Sequence, residues 1–562
     1  LLTGTVILLF RVTIDYILGY WLLPAGSESF EQLTHIERLA LPMLGALVLG
    51  LGLSRLSAKN RRVGVVHVME RLSRHQGRLP PRNALVQFFG GIIALISGFS
   101  GGREGPAVHL GAASSSLLGQ AFELPNNSMR TLVACGSAAA IAGSFNTPLA
   151  GVIFAMEVVM MDYTIASFIP VIISAVTATL LTRYFIGSDA AFLIAPVQMQ
   201  SLLEIPYVIF AGLVIGCIAA AFIATVQVFT RLSNWPFWLR ALFAAAITGL
   251  AAISVPEIMG LGYDTVNGAM LGQIGLMTLL AIVVFKTLAS AAAVGMGIPV
   301  GLIGPTFVIG AAVGGALGIV GEMLQPGEAA FIGLYVMLGM AAMMAAVLQA
   351  PLAALMAVLE LTANPNLILP AMLIVVVATM VTGVVFRQKS VFLSTLNTLG
   401  LQYPPNPVTL HLQRAAVSAI MNRDVVRLDR HCSASEAREA MTHAPRWVAV
   451  ETSPGKIRSV LNAADLGAFL EGAGDLEAAG DSSEGVDEEK SATSEIDLLS
   501  IPGQRMDTAN INYQATIQEA QEALHDTDAE ALCVRRQSAP MIMRVLGVVT
   551  QADIDSYRDT SQ

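Results

Sequence analysis

Glu104 stands in Phe99-Ser-Gly-Gly-Arg-Glu-Gly-Pro106, where glycines and a proline mark the start of a helix. Glycines there let the backbone come close to an ion, and the unpaired N–H groups, aided by the helix dipole, attract an anion. A second loop of this kind reads Gly301-Leu-Ile-Gly-Pro305, with Ile303 where the first has Glu104. Cation pores present carbonyls or rings of acids instead. The expected cargo is an anion. The Glu104 carboxylate has two readings. Ionised, it could take the anion's position and leave it on protonation, which makes it a gate. Alternatively it caps the helix N-terminus, a common and stabilising arrangement.

Other ionisable residues lie in the same apolar region. Glu157 and Glu360 hold equivalent positions in two similar stretches. A structural contact is more readily needed in duplicate than a proton carrier, so a structural role is expected for both. Lys286 either pairs with an acid or snorkels, and the sequence does not choose. His109, one turn beyond the Glu104 loop, reads as a satisfied polar residue before it reads as a proton relay. No nucleophile–base pair, metal cluster or phosphate loop is evident, so no enzyme is expected. Cys135, Cys217, Cys432 and Cys533 are scattered without ligand spacing, which indicates neither a disulfide framework nor a zinc site.

The elements that position these residues come in two copies. The stretch 102–119 recurs as 301–318, and 136–157 as 339–360, where Pro-Leu-Ala and a terminal Glu return. In an apolar chain this marks a duplicated membrane unit with a substrate site where the halves meet. The chain of 562 residues is 54% hydrophobic and 13% charged, too apolar for a soluble protein of this length. Between Thr265 and Phe386 the charged residues are Lys286, Glu322, Glu328 and Glu360 alone. Spanning segments are expected near 1–23, 37–57, 84–99, 107–121, 129–145, 148–161 and 164–185. A second set is expected near 205–230, 236–254, 274–294, 306–322, 330–347, 351–361 and 367–387. The many Gly and Pro interruptions predict short, broken or tilted helices packed within protein. Basic residues at Arg55, Lys59, Arg61, Arg62, Arg71, Arg74, Arg78 and Arg82 place that connection in the cytoplasm, and Arg387 and Lys389 place the C-terminal region on the same side. The chain starts Leu1-Leu-Thr3 inside an apolar segment, which reads as a trimmed N-terminus.

From about 405 the texture becomes α/β. Residues 417–426, a helix near 434–441, a strand at 447–450 and a strand-helix at 457–470 make one unit. A second holds a helix at 517–525, a strand at 531–535 and a strand-helix at 545–557. Between them, 471–497 is acidic and poor in core residues, and is expected to be a disordered insertion. The domains are thus 1–400 in the membrane, 401–470 and 501–562 as paired α/β repeats, and 471–500 as the insertion. The net charge of -9 concentrates in this polar part and implies no nucleic-acid partner.

The segments up to about residue 400 resemble the CLC chloride channel and transporter family. The resemblance rests on Gly-Arg-Glu-Gly-Pro (102–106), Ser-Phe-Asn-Thr-Pro-Leu-Ala-Gly (144–151), Phe-Ala-Met-Glu (154–157) and Leu-Glu-Leu-Thr-Ala-Asn-Pro-Asn-Leu-Ile-Leu-Pro (359–370). The tail resembles the paired CBS domains of many members. The resemblance implies an all-α polytopic membrane domain with inverted repeats, an α/β CBS pair in the cytoplasm, and a homodimer in the plasma (inner) membrane with one anion path per subunit. It also implies that Glu104 is the gate and that backbone amides of Arg103, Glu104, Gly105, Leu302 and Ile303 hold chloride or another small anion. Two hydroxyls that line the path in the family are absent here. Val63 replaces the serine and Phe392 the tyrosine. Val158 stands where proton-coupled members carry a second acid, and proton-free channels carry an apolar residue there. The expectation is therefore a passive, voltage-gated type of chloride channel, with a secondary-active chloride/proton antiporter as the alternative. In CBS pairs a Thr/Ser-x-x-Asp turn can hold a ribose. Thr550 and Asp553 match it, and Asn462 with Asp465 match half, so an adenine nucleotide is a possible ligand beside a purely structural role. No other cofactor is expected.

Overall fold

In hydrocarbon every backbone polar group must be satisfied internally, and the first part of this chain does so with helices. The computed structural model describes residues 1–23, 29–163, 165–187, 204–324, 332–401, 412, 415–453, 456–479, 495–539 and 542–560. Two units separate: Leu1–Leu124 with Ser128–Tyr403, and Pro125–Asn127 with Pro404–Gln562.

The first unit opens with α1 (Leu2–Ile17), α2 (His35–Ser54), α3 (Gly64–Arg74), α4 (Pro81–Ile96), α5 (Glu104–Ala121), α6 (Asn126–Phe145), α7 (Pro148–Phe154) and α8 (Ile165–Ile186). It continues with α9 (Ile205–Arg231), α10 (Phe237–Ser254), α11 (Tyr263–Met270), α12 (Leu276–Gly295), α13 (Ile303–Leu324), α14 (Ile332–Leu348), α15 (Pro351–Thr362), α16 (Ile368–Met380) and α17 (Val391–Thr398). Among the described residues, 8 helices are long and apolar enough to cross a membrane. Sequence recurrence pairs α5 with α13, α6 with α14, and α7 with α15. The backbone repeats as well. Asn146 (φ 63°) and Gln349 (φ 53°) turn the chain in the left-handed region just before Pro148 and Pro351 start their helices.

Apolar surface gives little drive for helices to pair in lipid, so close packing has to supply it. Gly111 on α5 faces Gly136 on α6, and Gly310 on α13 faces Gly339 on α14. A methyl at any of the four would overlap the opposing backbone. The segments expected from the sequence fall on observed helices, residues 164, 330 and 331 lying outside the described ones. Three short helices went unforeseen: α3, α11 and α17. The basic stretch around 55–82, read as a connection, contains α3, which buries Val65, His67, Val68, Met69, Glu70 and Leu72. Its eleven residues are too few to span, and their charges mask the apolar face.

In the second unit, β1 (Val425–Asp429), α18 (Ala434–Met441), β3 (Trp447–Ser453), β4 (Lys456–Asn462) and α19 (Ala463–Ala479) form one motif. It is repeated by β6 (Arg505–Asn512), α20 (Ile517–Thr527), β7 (Ala531–Ala539), β8 (Ile542–Thr550) and α21 (Gln551–Thr560). The sheet order is β1-β3-β4-β6-β7-β8, while β2 (His431–Ser433) pairs antiparallel with β5 (Glu495–Asp497). In each motif the first two strands run parallel and the next pair antiparallel. Equivalent capping boxes, Ser433 with Glu436 and Thr516 with Glu519, start α18 and α20. This duplicated arrangement is compatible with a CBS pair. The insertion expected at 471–500 is shorter at both ends. Ala, Leu and Glu carry α19 to Ala479, and β5 begins at Glu495. Residues 480–494 lie outside the described ones.

Candidate functional site

Two helix starts meet at one point. Gly102 and Gly301 exchange both backbone hydrogen bonds, at 2.9 and 2.6 Å, in an antiparallel bridge between the repeats. Immediately beyond, α5 begins with the Ala107 amide donating to Arg103 O at 2.9 Å, and α13 with Thr306 donating to Leu302 O at 3.0 Å. The positive ends of both helix dipoles therefore converge, and each first turn leaves amides without an intrahelical acceptor.

Glu104 occupies this junction and is wholly buried. Its Oε1 accepts a hydrogen bond from the Tyr263 hydroxyl at 3.0 Å, and the amides of Glu104 itself and Gly304 face the carboxylate. Its Oε2 is buried without a hydrogen-bond partner. Glycine is what makes room: a methyl on Gly304 would stand 3.0 Å from Oε1, and one on Gly102 would overlap the carboxylate. The Arg103 side chain turns away. Its guanidinium lies 5.6 Å over the Tyr263 ring, 3.9 Å from Asp15, and donates to Ser144 O at 3.4 Å. Only the backbone of Arg103 is thus at the junction.

A cavity of about 740 Å³ leads up to this point, and Val63, Gly105, Leu302, Ile303 and Phe392 all line it. These residues come from four separate helix starts and are brought together as the sequence reading grouped them. Thr230 and Thr395 also line the cavity, but their hydroxyls donate to Val226 O and Val391 O of their own helices, each at 2.8 Å. Arg61, Arg62 and Arg240 give the walls positive charge. The acid among the lining residues, Glu70, is paired with Arg62. Where it meets the junction the cavity is lined by Val63, Gly105, Leu302, Ile303 and Phe392, which offer an anion backbone dipoles and no side-chain hydroxyl.

His67 on α3 lines the same cavity, with its Nδ1 2.8 Å from Nε2 of His109 on α5. The sequence drew attention to His109 and missed His67, whose signal lay in the overlooked helix. Tyr263 was missed for a different reason. It is 159 residues from Glu104, and no spacing rule connects them.

Glu157 and Glu360 hold each other's repeat. Glu157 accepts from the Leu352 and Ala353 amides at 3.3 and 2.7 Å, at the start of α15. Glu360 accepts from Leu149 and Ala150 at 3.0 and 2.8 Å, at the start of α7. Each is a helix cap delivered across the pseudo-symmetry axis. Lys286 does not snorkel: it is fully buried, and its Nζ donates to Gly260 O at 3.3 Å. In the second unit Asp553 Oδ2 accepts from the Thr550 amide and hydroxyl, both at 2.8 Å, and Asp465 accepts from the Gln504 amide at 3.0 Å.

The fold and the converging helix starts define a membrane protein of the CLC class. A profile described as voltage gated chloride channel matches residues 45–383, and the chain belongs to that family. A ClcB-like chloride channel protein of Ralstonia nicotianae is 34% identical over 369 residues, covering 63% of this chain and 85% of the relative. The H(+)/Cl(-) exchange transporter ClcA of Vibrio cholerae is 31% identical over 54% of this chain and 66% of its own length. The voltage-gated ClC-type chloride channel ClcB of Salmonella typhimurium is 31% identical over 65% and 88%. A slow cyanobacterial Cl-/H+ antiporter superposes with TM-score 0.62 at 22% identity, over 71% of this chain and 96% of that one. A eukaryotic CLC transporter matches with TM-score 0.56 at 16% identity, over 98% and 94%.

Proposed function

We propose that the protein is a secondary-active chloride/proton antiporter in which the Glu104 carboxylate and the anion compete for one seat. The observation that carries this reading is the burial of Glu104 at the junction, with Oε2 unpartnered. A buried carboxylate with an unmet oxygen costs several kcal/mol unless something compensates it. Protonation neutralises it and frees the amides. An incoming chloride then takes their dipoles, and loss of the proton reverses the exchange. Proton and anion occupancy are in this way linked at one residue. The names of the Vibrio relative and the cyanobacterial structure support exchange over passive conduction. The channel reading rests on Val158 and on the channel names of the Ralstonia and Salmonella relatives, and one aliphatic position does not stop a proton that enters elsewhere.

In the same reading the arginine-lined cavity is the cytoplasmic entrance, the protein works as a homodimer in the inner membrane, and the C-terminal unit lies in the cytoplasm. The supports for these parts are the family resemblance and the basic residues that follow the second and the last spans. An adenine nucleotide at Thr550 and Asp553 would be regulatory, and would have to displace the cap these residues form on α21.

Proteoliposomes test the exchange. A chloride gradient should drive protons uphill, and Glu104→Gln should abolish proton movement while chloride continues to flow. Chloride flux without any uphill proton movement in the unmodified protein would return the reading to a passive channel.

A further inference from the structure

We infer that His67 and His109 form the inner leg of the proton route, a two-imidazole relay between the cavity and the buried start of α5. This rests on the exchange reading above, and it supplies what Val158 cannot. Val158 is a buried aliphatic residue in the π-helical turn Ala155–Met160, against which α3 packs. Glu157, its neighbour in sequence, is committed to the α15 amides. A proton arriving in the cavity therefore needs another carrier.

The two histidines have the geometry for it. His67 forms part of the cavity wall but is only 4% exposed, and His109 is fully buried. Their rings lie 5.1 Å apart, and the 2.8 Å Nδ1···Nε2 contact is a hydrogen bond in which one ring donates and the other accepts. A neutral imidazole carries a donor on one nitrogen and an acceptor on the other, so a proton taken at one side is released from the other. On this path a proton enters at His67 Nε2, crosses the Nδ1···Nε2 contact, and leaves from His109 Nδ1. Each ring regains its neutral form in the other tautomer, the N–H of both rings having moved from Nδ1 to Nε2, and reorientation of the two rings resets the pair for the next proton. His109 Nδ1 is buried with no hydrogen-bond partner, as is Glu104 Oε2 at the start of the same helix. Glu104 begins the same helix, about 7.5 Å along the axis and about 140° around it, so the proton has to pass around the first turn of α5 to reach the carboxylate. This last step requires water to carry it. The other charged groups acting on His67 are Arg62, Arg71 and His75. Burial first, and then the neighbouring His109 and the charges of Arg71 and Arg62, disfavour a resident imidazolium and favour passing the proton on.

The alternative is that the pair is merely a strut tying α3 to α5. Glutamine distinguishes the two, because it keeps a hydrogen bond at either position but cannot relay a proton. In proteoliposomes under a chloride gradient, His67→Gln and His109→Gln should each lower proton flux at least tenfold while chloride flux stays within twofold. His67→Glu, protonatable at the cavity wall, should restore coupling. If the unmodified protein couples and both glutamine variants couple equally well, the relay is overturned and the exchange reading stands. If both variants lose chloride and proton flux together, the pair is a strut and the relay is overturned too. An unmodified protein that moves no protons overturns the relay and the exchange reading together.

Discussion

Val63 and Phe392 put hydrocarbon on the cavity wall where a hydroxyl would offer a donor. Both line the cavity, and neither can donate to an anion. A hydrogen bond to a charged partner contributes about 1.5–3 kcal/mol before desolvation and geometry are counted. Val63→Ser with Phe392→Tyr should therefore tighten chloride binding by roughly tenfold, read by calorimetry. Unchanged affinity in the double variant would remove both from the anion's reach. Glu31 gives a second test at this scale. It lies outside the spans, between α1 and α2, and burial, then the charge of Asp264, raise its carboxyl from the ordinary 4.5 to about 7. The folded state thus binds this proton more tightly than the unfolded chain does. Its contribution is complete below pH 4.5 and is lost as pH rises through about 7. Glu31→Gln should flatten the fall in melting temperature over that window, as followed by scanning fluorimetry in detergent. An unaltered pH profile would show that the group is not held neutral.

At the scale of elements, the reciprocal caps of α7 and α15 make a symmetric prediction. Charge-assisted bonds to backbone amides are the strong kind, and each glutamate accepts two. Glu157→Gln and Glu360→Gln should each destabilise the protein, by similar amounts on the order of 1–3 kcal/mol, and leave the proton-to-chloride ratio unchanged. A change in that ratio for Glu157→Gln alone would break the symmetry and make Glu157 a proton carrier. The duplication that suggested this role was visible as recurring letters. Which amides the carboxylates meet was not, because each cap comes from the other repeat, some 200 residues away.

For the whole molecule, the second unit has apolar clusters of its own. Val448, Val450, Leu461 and Leu466 are buried in one motif, and Ile517, Leu532, Val534 and Val549 in the other. Each fully buried side chain of this kind stabilises by about 1.5–3 kcal/mol. Residues 404–562 alone should therefore fold in water and melt in a single cooperative transition by circular dichroism. A non-cooperative melt would mean that this unit depends on the membrane part. The sequence by itself determined the class of solvent, the two repeats and nearly all the spans, and it singled out Glu104. Long apolar runs, glycine-proline helix starts and duplicated motifs are local patterns, and local patterns survive in the linear chain. Only the tertiary structure decided what Glu104 touches. Tyr263 reaches Glu104 from α11, His67 reaches His109 from α3, and Gly102 pairs with Gly301 across the repeats. Those meetings depend on how helices cross, which is set by glycine contacts between distant segments and leaves no period in the sequence to read.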